Sequence, residues 1–175
     1  DNILIPMFIK APGSIPKKIS TQVGTVDLFP TILDYSCLGE YDGKNEYPQH
    51  GTSLKNLLNG SADAKYLRER SLRCDCRFFG QKQRRTAIRQ NNFKYIYSHD
   101  DGSEEFFDVK YDPSEDVNLI KFKNYSDKIK EFRSAFTLQE NEANMFQQEY
   151  LAKKFLKSIH INLKNKVVLF STLET

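Results

Sequence analysis

The stretch TAIRQNNFKYIYS, residues 86–98, decides the fold of this chain. Two short runs rich in β-branched and aromatic residues, Thr86–Gln90 and Phe93–Ser98, flank the pair Asn91-Asn92. A two-residue connection that visits the left-handed backbone region is typical of a tight β-hairpin, and asparagine is one of the residues that tolerate it. The stretch therefore predicts two adjacent antiparallel strands.

The same pattern continues on both sides of this hairpin. Ser71–Phe79 and Glu105–Val109 are further strand-like runs, and Asp101-Gly102 marks a turn before the second of them. Four strands joined by short connections form a meander. We therefore predict a four-stranded antiparallel sheet.

A long amphipathic helix is predicted to begin near Ser126. Apolar residues recur there at steps of three, four or seven, a spacing that places them on one helix face: Ile129, Phe132, Phe136, Ala143, Phe146 and Tyr150. We expect Phe132 and Phe136 to pack this helix onto the sheet. Two apolar runs at the end of the chain, Ile159–Leu163 and Val167–Phe170, predict a last hairpin.

Upstream of the sheet the pattern is that of an α/β segment. Ile3–Ile9 predicts a buried strand, although Pro6 favours an edge position or a bulge because proline cannot donate to a β-ladder. A helix is expected to begin near Asp27, with Pro30 in its first turn. Ser53–Leu58 predicts one further helical turn.

Composition excludes several classes of protein. The chain has 175 residues, of which 39% are hydrophobic and 28% charged, so it can form a core and wholesale disorder is not expected. No apolar run approaches the ~20 residues of a membrane span. Three cysteines are too few for a disulfide scaffold, and Cys74 and Cys76 are best explained as structural neighbours on one face of a strand.

Positive charge is concentrated in one part of the chain. Residues 65–94 contain ten Lys and Arg but only two acidic residues, Glu69 and Asp75, within a total net charge of +3. Such a stretch could bind nucleic acid, but no nucleic-acid-binding motif accompanies it. The alternative is that the basic strands pair with carboxylates elsewhere, and Arg89 and Lys94 are candidates for this. We expect no nucleic-acid partner.

The residues show no complete catalytic constellation. Metal-binding His pairs, a glycine-rich phosphate loop and a nucleophile elbow are absent from the sequence. Asp100-Asp101 with Glu104 and Glu105 could bind a hard cation, but a turn before a strand explains them equally well.

Five motifs, in this order, resemble those of the sulfatase family. They are IPMFIKAPG (residues 5–13), VDLFPTILD (26–34), GTSLKNLLNG (51–60), AIR followed by FKYI (87–96), and FFDVKYDPSEDVNL (106–119). Residues 120–175 match only as the expected closing helix. The resemblance implies the C-terminal portion of a sulfatase, a sulfuric ester hydrolase of the alkaline-phosphatase-like superfamily.

The implied fold class is α+β. Residues 1–64 would form the last strand and helix of the catalytic α/β domain, and residues 65–175 an antiparallel-sheet subdomain with a long closing helix. Because the sequence opens at Asp1 without a methionine, we expect the missing N-terminal catalytic part to belong to the same protein. An unpaired Ile5–Ile9 edge would invite a homo-oligomer.

The family's chemistry implies that the catalytic machinery lies outside this chain. Sulfatases bind one divalent cation, usually Ca²⁺, and use a formylglycine made from Cys or Ser in a C/S-x-P-x-R motif. No cysteine here is followed by x-P-x-R. We therefore expect no catalytic residue, no metal ligand and no cofactor in this chain, and no activity from it alone.

Two histidines are candidates for substrate binding in the intact enzyme. His99 follows the Phe93–Ser98 strand, where some family members direct a histidine towards the substrate, a sulfate ester. His50 precedes the Gly51–Leu54 turn. Two alternative functions remain open: the C-terminal region of a related phosphodiesterase or phosphonate-ester hydrolase, and a free-standing, non-catalytic binding module.

Overall fold

The computed structural model describes residues 5–14, 16–36, 51–60, 65–77 and 84–164. The chain forms two compact units, Asp1–Arg133 and Ser134–Thr175. In chain order the elements are α1 (Leu28–Tyr35), α2 (Lys55–Leu58), α3 (Lys65–Glu69), β1 (Leu72–Arg77), β2 (Arg84–Gln90), β3 (Phe93–Ser98), β4 (Glu104–Asp108) and α4 (Ser126–Lys164), with 3₁₀ turns at Thr25–Asp27 and Lys123–Tyr125. This mixed α+β arrangement confirms the predicted fold class.

The four strands form one antiparallel sheet in the order β1-β2-β3-β4. Gln90 pairs with Phe93, so Asn91 and Asn92 form the turn between β2 and β3. Asn91 has a φ of 54°, in the left-handed region that asparagine tolerates. Gly102, with a φ of 69°, serves the turn before β4. The predicted meander and both of its turns are confirmed.

One face of the sheet forms the core of the first unit with the beginning of α4. Its buried side chains are 3% exposed or less: Ile88, Tyr95, Phe106, Ile129 and Phe132. The rings of Phe106 and Phe132 meet edge to face with their centroids 5.3 Å apart. The predicted packing of Phe132 is therefore confirmed. Phe136 is half-buried and belongs to the second unit, so its packing stays a prediction.

The segment after β4 is held by polar side chains. Lys94 is buried, and its Nζ donates to both carboxylate oxygens of Glu115 at 2.8 and 2.6 Å. Asn118 Oδ1 accepts the backbone N–H of Phe106 at 3.0 Å. Asp112 accepts two backbone N–H groups within the segment. The expected pairing of Lys94 with a carboxylate is confirmed for Glu115.

A fully buried carboxylate, Asp27, joins three parts of the first unit. It accepts the backbone N–H of Gly24 at 2.8 Å and that of Thr52 at 2.9 Å. Arg70, just before β1, forms a bidentate pair with it, in which Nη1 lies 2.7 Å from Oδ1 and Nη2 donates to Oδ2. The start of α1, the loop before α2 and the entry to the sheet therefore meet at one side chain.

Two neighbouring contacts tighten this junction. Thr31 donates its hydroxyl to the carbonyl of Asp27 at 2.5 Å and accepts the N–H of Leu54 at 2.9 Å. A Cβ at Gly51 would lie 1.9 Å from the Val26 carbonyl oxygen, so the two backbones can approach this closely only at a glycine.

The region before the sheet confirms the helices and corrects the strand. The helix α1 follows the 3₁₀ turn Thr25–Asp27 and has Pro30 in its first turn, as predicted. The predicted strand Ile3–Ile9 is wrong over its described part: residues 5–9 carry no regular secondary structure, and Phe8 is 94% exposed. A strand needs a hydrogen-bonded neighbour, and the sheet within the described residues contains only β1 to β4.

The helix α4 is longer than predicted. It begins at Ser126, as expected, but continues to Lys164. The predicted strand Ile159–Leu163 is therefore wrong, because no glycine or proline interrupts the helix before that point. Val167–Phe170 lies outside the described residues. Among the helices that the structure describes, none combines the length and apolarity needed to cross a membrane.

Removing the Phe132 side chain should strongly destabilise the first unit. The ring is 1% exposed and packs on Phe106, so Phe132→Ala should cost on the order of 3–5 kcal/mol. Phe122 is 52% exposed, and Phe122→Ala serves as the matched control. The stability of both variants is measured by urea unfolding. Equal urea concentrations at the midpoint of unfolding for the two variants would contradict the assigned packing.

Replacing Asp27 by Asn should remove a buried ion pair. Arg70 would lose its charged partner, which for a buried pair costs on the order of 3–5 kcal/mol. Burial raises the pKa of Asp27, but the hydrogen bonds from Arg70, Gly24 and Thr52 outweigh it, and the folded pKa lies below the ordinary 3.8.

The contribution of ionised Asp27 is therefore present above pH 3.8 and is lost as the pH falls through the lowered folded pKa. Unfolding measured against pH should show the wild type and Asp27→Asn converging in acid. Asp127→Asn, at a side chain that is 94% exposed, should leave stability unchanged within about 0.5 kcal/mol. If the free energies of unfolding of the wild type and Asp27→Asn differed by the same amount at every pH, this account would be contradicted.

Candidate functional site

The sheet assembles a polar cluster around the predicted residue His99. Asp75 of β1 lies opposite Thr86 of β2, so their side chains share one face of the sheet. His99 directly follows β3, and its backbone N–H donates to the carbonyl of Arg84 at 2.9 Å. Three strands, two of which are joined by a hairpin, therefore position the cluster.

The cluster is a chain of short hydrogen bonds. Arg73 donates from Nε and Nη2 to the two oxygens of Asp75, at 2.7 and 2.9 Å. The fully buried hydroxyl of Thr86 donates to Asp75 Oδ1 at 2.6 Å. The same hydroxyl lies 2.8 Å from His99 Nε2.

These contacts determine which ring nitrogen of His99 carries a proton. Burial raises the pKa of Asp75, but hydrogen bonds from Arg73 and Thr86 outweigh it and lower the pKa, so the carboxylate is ionised and accepts only. Thr86 has one hydroxyl proton, which goes to Asp75. His99 Nε2 must then donate to the Thr86 oxygen, because two acceptors cannot form this bond.

The cluster is suited to binding a ligand. His99 is half-buried, and its ring meets that of Tyr97 edge to face at a centroid distance of 5.1 Å, so its orientation is fixed from two sides. Thr86 is buried and gives its proton to a carboxylate, which argues against a nucleophilic role. A neutral imidazole whose Nε2 donates to Thr86 offers Nδ1 as an acceptor, so a matching ligand group is a donor such as a hydroxyl.

Basic residues of the stretch 65–94 are engaged with carboxylates. Arg70 pairs with Asp27 and Arg73 with Asp75. Arg85 Nη1 lies 3.9 Å from Glu105, and Lys94 binds Glu115. Arg89 has no such pair described. These contacts support the carboxylate-pairing interpretation of the basic stretch, while the expected absence of a nucleic-acid partner stays a prediction.

The acidic residues of the β3–β4 turn have protein donors. Asp100 accepts the N–H of Arg84 and Asp101 that of Ser103, each at 2.9 Å. Glu104 accepts the hydroxyl of Tyr95 at 2.6 Å and a bidentate pair from Arg133. The turn interpretation is therefore the better one.

No metal ligand set is present in the part of the chain that the structure describes. Among those residues, no three His, Cys, Asp or Glu side chains form a group that could hold an ion. The described residues thus do not fit the divalent cation that the sulfatase resemblance implies. Cys74 and Cys76 are free thiols, and burial raises the pKa of Cys74.

Sequence reasoning identified only one member of the cluster. His99 lies in it, whereas His50 lies outside the described residues. Arg73, Asp75 and Thr86 were missed as site residues. The pairing register of β1 with β2 would have placed Asp75 opposite Thr86, but the connection between those strands carries no tight-turn signal that fixes a register.

In sequence, the chain is similar to curated sulfatases. A curated arylsulfatase from Clostridium perfringens is 29% identical over 133 residues, which are 71% of this chain and 25% of that protein. The chain thus spans about a quarter of the length of this relative.

Solved structures show the same fold. A 2-O GAG sulfatase superposes with a TM-score of 0.60 at 23% identity, over 81% of this chain and 30% of that one. A phosphonate monoester hydrolase from Silicibacter pomeroyi gives 0.58 at 18% identity, over 76% of this chain and 28% of that one.

The family comparison covers most of the chain. The model described as N-sulphoglucosamine sulphohydrolase, C-terminal, matches residues 1–162. The match spans both the motifs at residues 5–119 and nearly all of α4. The predicted resemblance is confirmed: this chain belongs to the N-sulphoglucosamine sulphohydrolase C-terminal family, the C-terminal portion of sulfatases.

Proposed function

We propose that this chain is the C-terminal region of a sulfuric ester hydrolase and does not catalyse hydrolysis by itself. The family match over residues 1–162 carries the proposal. The described residues contain no group of three metal ligands, which supports the proposal that the chain alone does not catalyse hydrolysis. A separate N-terminal part of the same protein would then supply the reacting groups.

In that protein the N-terminal part would hold a divalent cation, most simply Ca²⁺, and a formylglycine. Together they would supply the nucleophile and the charge neutralisation that sulfate transfer needs. The residues described here would supply binding. We assign His99 to a donor group of the substrate, such as a sugar or other hydroxyl. The Asp75–Thr86 pair takes its Nε2 proton, which makes Nδ1 an acceptor, and Tyr97 fixes its ring.

The second candidate is the C-terminal region of a phosphonate monoester hydrolase. It is favoured by one observation, the shared fold with the Silicibacter pomeroyi enzyme. At 18% identity that likeness shows the fold alone, whereas the curated proteins that are similar in sequence include an arylsulfatase and a sulfatase. The C-terminal region of a sulfuric ester hydrolase is therefore the preferred candidate.

The isolated 175-residue chain should not hydrolyse an aryl sulfate or a phosphonate monoester when Ca²⁺, Mg²⁺ or Mn²⁺ is added. The nucleophile and the metal ligands would be lacking. Product release by a repurified sample, following the protein peak on a sizing column, would contradict the proposal.

A parallel assay of the longer protein separates the two candidates. Its coding sequence upstream of Asp1 is first read for C/S-x-P-x-R, and the protein is then assayed on an aryl sulfate and a phosphonate monoester. We expect the motif and a higher kcat/KM for the sulfate. A higher kcat/KM for the phosphonate would favour the second candidate.

In the longer protein His99→Ala should mainly weaken substrate binding. Loss of one hydrogen bond between neutral groups, about 1 kcal/mol, corresponds to a roughly fivefold rise in KM, and kcat should change little. Thr86→Val should raise KM less, because it removes the partner of the Nε2 proton without removing the ring. Asp127→Asn, at a side chain that is 94% exposed, is the control and should leave KM unchanged. A fall in kcat with KM constant after His99→Ala would exclude a purely binding role.

A further inference from the structure

The first unit leaves an apolar side of α1 in solvent. At about 100° per residue, four apolar residues follow one another over about 140° of the helix, with no polar residue of α1 between them: Leu28, Ile32, Phe29 and Leu33. Phe29 is 54% and Ile32 60% exposed. Thr31, on the other side of the helix, is buried and bonded to the backbone of Leu54. One side of α1 therefore faces the core, and a continuous apolar side faces outward.

The segment at residues 5–11 exposes a further large apolar side chain. Exposure alternates along it: Met7, Ile9 and Ala11 are half-buried, whereas Phe8 is 94% exposed. Ile9 and Ala11 pack against a cluster of buried leucines: Leu54, Leu57, Leu58 and Leu67. Phe8 therefore lies on the side of the segment that faces away from this cluster.

The sequence of this segment is typical of one that is covered on both sides. Residues 5–9 read IPMFI and contain no polar side chain. Uninterrupted apolar runs of this kind are typical of extended segments buried on both faces. Within the described part of the chain, the leucine cluster covers the face of Ile9, and the face of Phe8 stays in solvent.

A groove joins the segment to the helix. It has a volume of about 240 Å³ and lies between residues 9–12 and α1, with Ile32 in its wall. Among the described residues that line the groove, only Lys10 is charged. We call Phe8, Phe29, Ile32 and this groove the uncovered surface. The centres of protein interfaces are depleted in charge in the same way, so the uncovered surface suits an apolar face of another folded part.

From these observations we propose that the uncovered surface binds the N-terminal part of the same protein. The inference rests on the proposed function, in which such a part precedes this chain. The chain covers 25% of the arylsulfatase from Clostridium perfringens and 30% of the chain of the 2-O GAG sulfatase. Most of the length of such a protein therefore lies outside the region that this chain matches, and it can supply the cover that Phe8 and Ile32 lack.

A second copy of this chain is the less suitable occupant. A part joined through the same polypeptide has an effective concentration in the millimolar range when the connection is short. A second copy has to associate from a far more dilute solution and loses its free translation and rotation on binding. The attached part therefore reaches the uncovered surface first.

Thiol accessibility tests the proposal by comparing the 175-residue chain with the longer protein. Phe8→Cys and Ile32→Cys are made one at a time, and Asp127→Cys, at a side chain that is 94% exposed, is the matched control. A pulse of N-ethylmaleimide followed by peptide mass spectrometry gives the reaction rate at each position separately from the native cysteines.

We expect all three positions to react quickly in the 175-residue chain. In the longer protein, Phe8→Cys and Ile32→Cys should react at least about tenfold more slowly, because reaction then needs a local opening of the contact. Asp127→Cys should keep its rate. Unchanged rates at Phe8→Cys and Ile32→Cys in the longer protein would overturn the proposal.

Slow reaction of these positions in the 175-residue chain would also overturn it. If the rate falls as the concentration of the chain rises, the occupant is a second copy. If the rate is slow at every concentration, other residues of the chain itself cover the surface.

Hydrogen exchange gives the same comparison without any substitution. Residues 5–11 and 28–35 should exchange more slowly in the longer protein than in the 175-residue chain, whereas β2 and β3 should exchange alike in both. Equal exchange of residues 5–11 in the two proteins would contradict the proposed contact.

Activity separates this proposal from the proposed function. A longer protein that hydrolyses an aryl sulfate but leaves Phe8→Cys fully reactive would overturn the contact and leave the proposed function intact. A longer protein that protects both positions but hydrolyses no sulfate ester would support the contact and contradict the proposed function.

Discussion

The buried pair of Asp27 and Arg70 is the interaction on which the first unit depends. A carboxylate without exposure is tolerated only when hydrogen bonds replace its hydration, and here two backbone N–H groups and a bidentate guanidinium do so. Because these donors come from three separated segments, none of the segments can move without exposing the charge. The pair therefore fixes how the α/β segment meets the antiparallel sheet.

This junction gives a physical reason for the spacing of two sequence motifs. In VDLFPTILD, Asp27 accepts the hydrogen bonds from Gly24, Thr52 and Arg70, and the proline lies in the first turn of α1. Thr31 links the Asp27 carbonyl to the Leu54 N–H. In GTSLKNLLNG the Gly permits the close backbone approach, and the Thr supplies an N–H. The two motifs are separate in the sequence, but their residues contact each other in one cluster around Asp27.

Local patterns predicted most of the fold but little of the polar cluster. The hairpin at Asn91-Asn92 and the start of α4 follow from neighbouring residues, and both are confirmed. Whether Ile3–Ile9 forms a strand could not be predicted from its own residues, because a strand also needs a neighbouring strand to pair with, and the residues of the segment do not specify one. The Arg73–Asp75–Thr86–His99 chain depends on the register of three strands, which composition and spacing do not determine.

The short turns of the meander have a consequence for the order of folding. β2 and β3 are joined by two residues, whereas Asp27 and Arg70 are 43 positions apart. Contacts between residues close in sequence form with a smaller loss of chain entropy and therefore earlier. We expect the hairpin and its neighbouring strands to nucleate this chain, and the α/β segment to dock afterwards. A ribosome that is still synthesising α4 would then carry a sheet that has already paired.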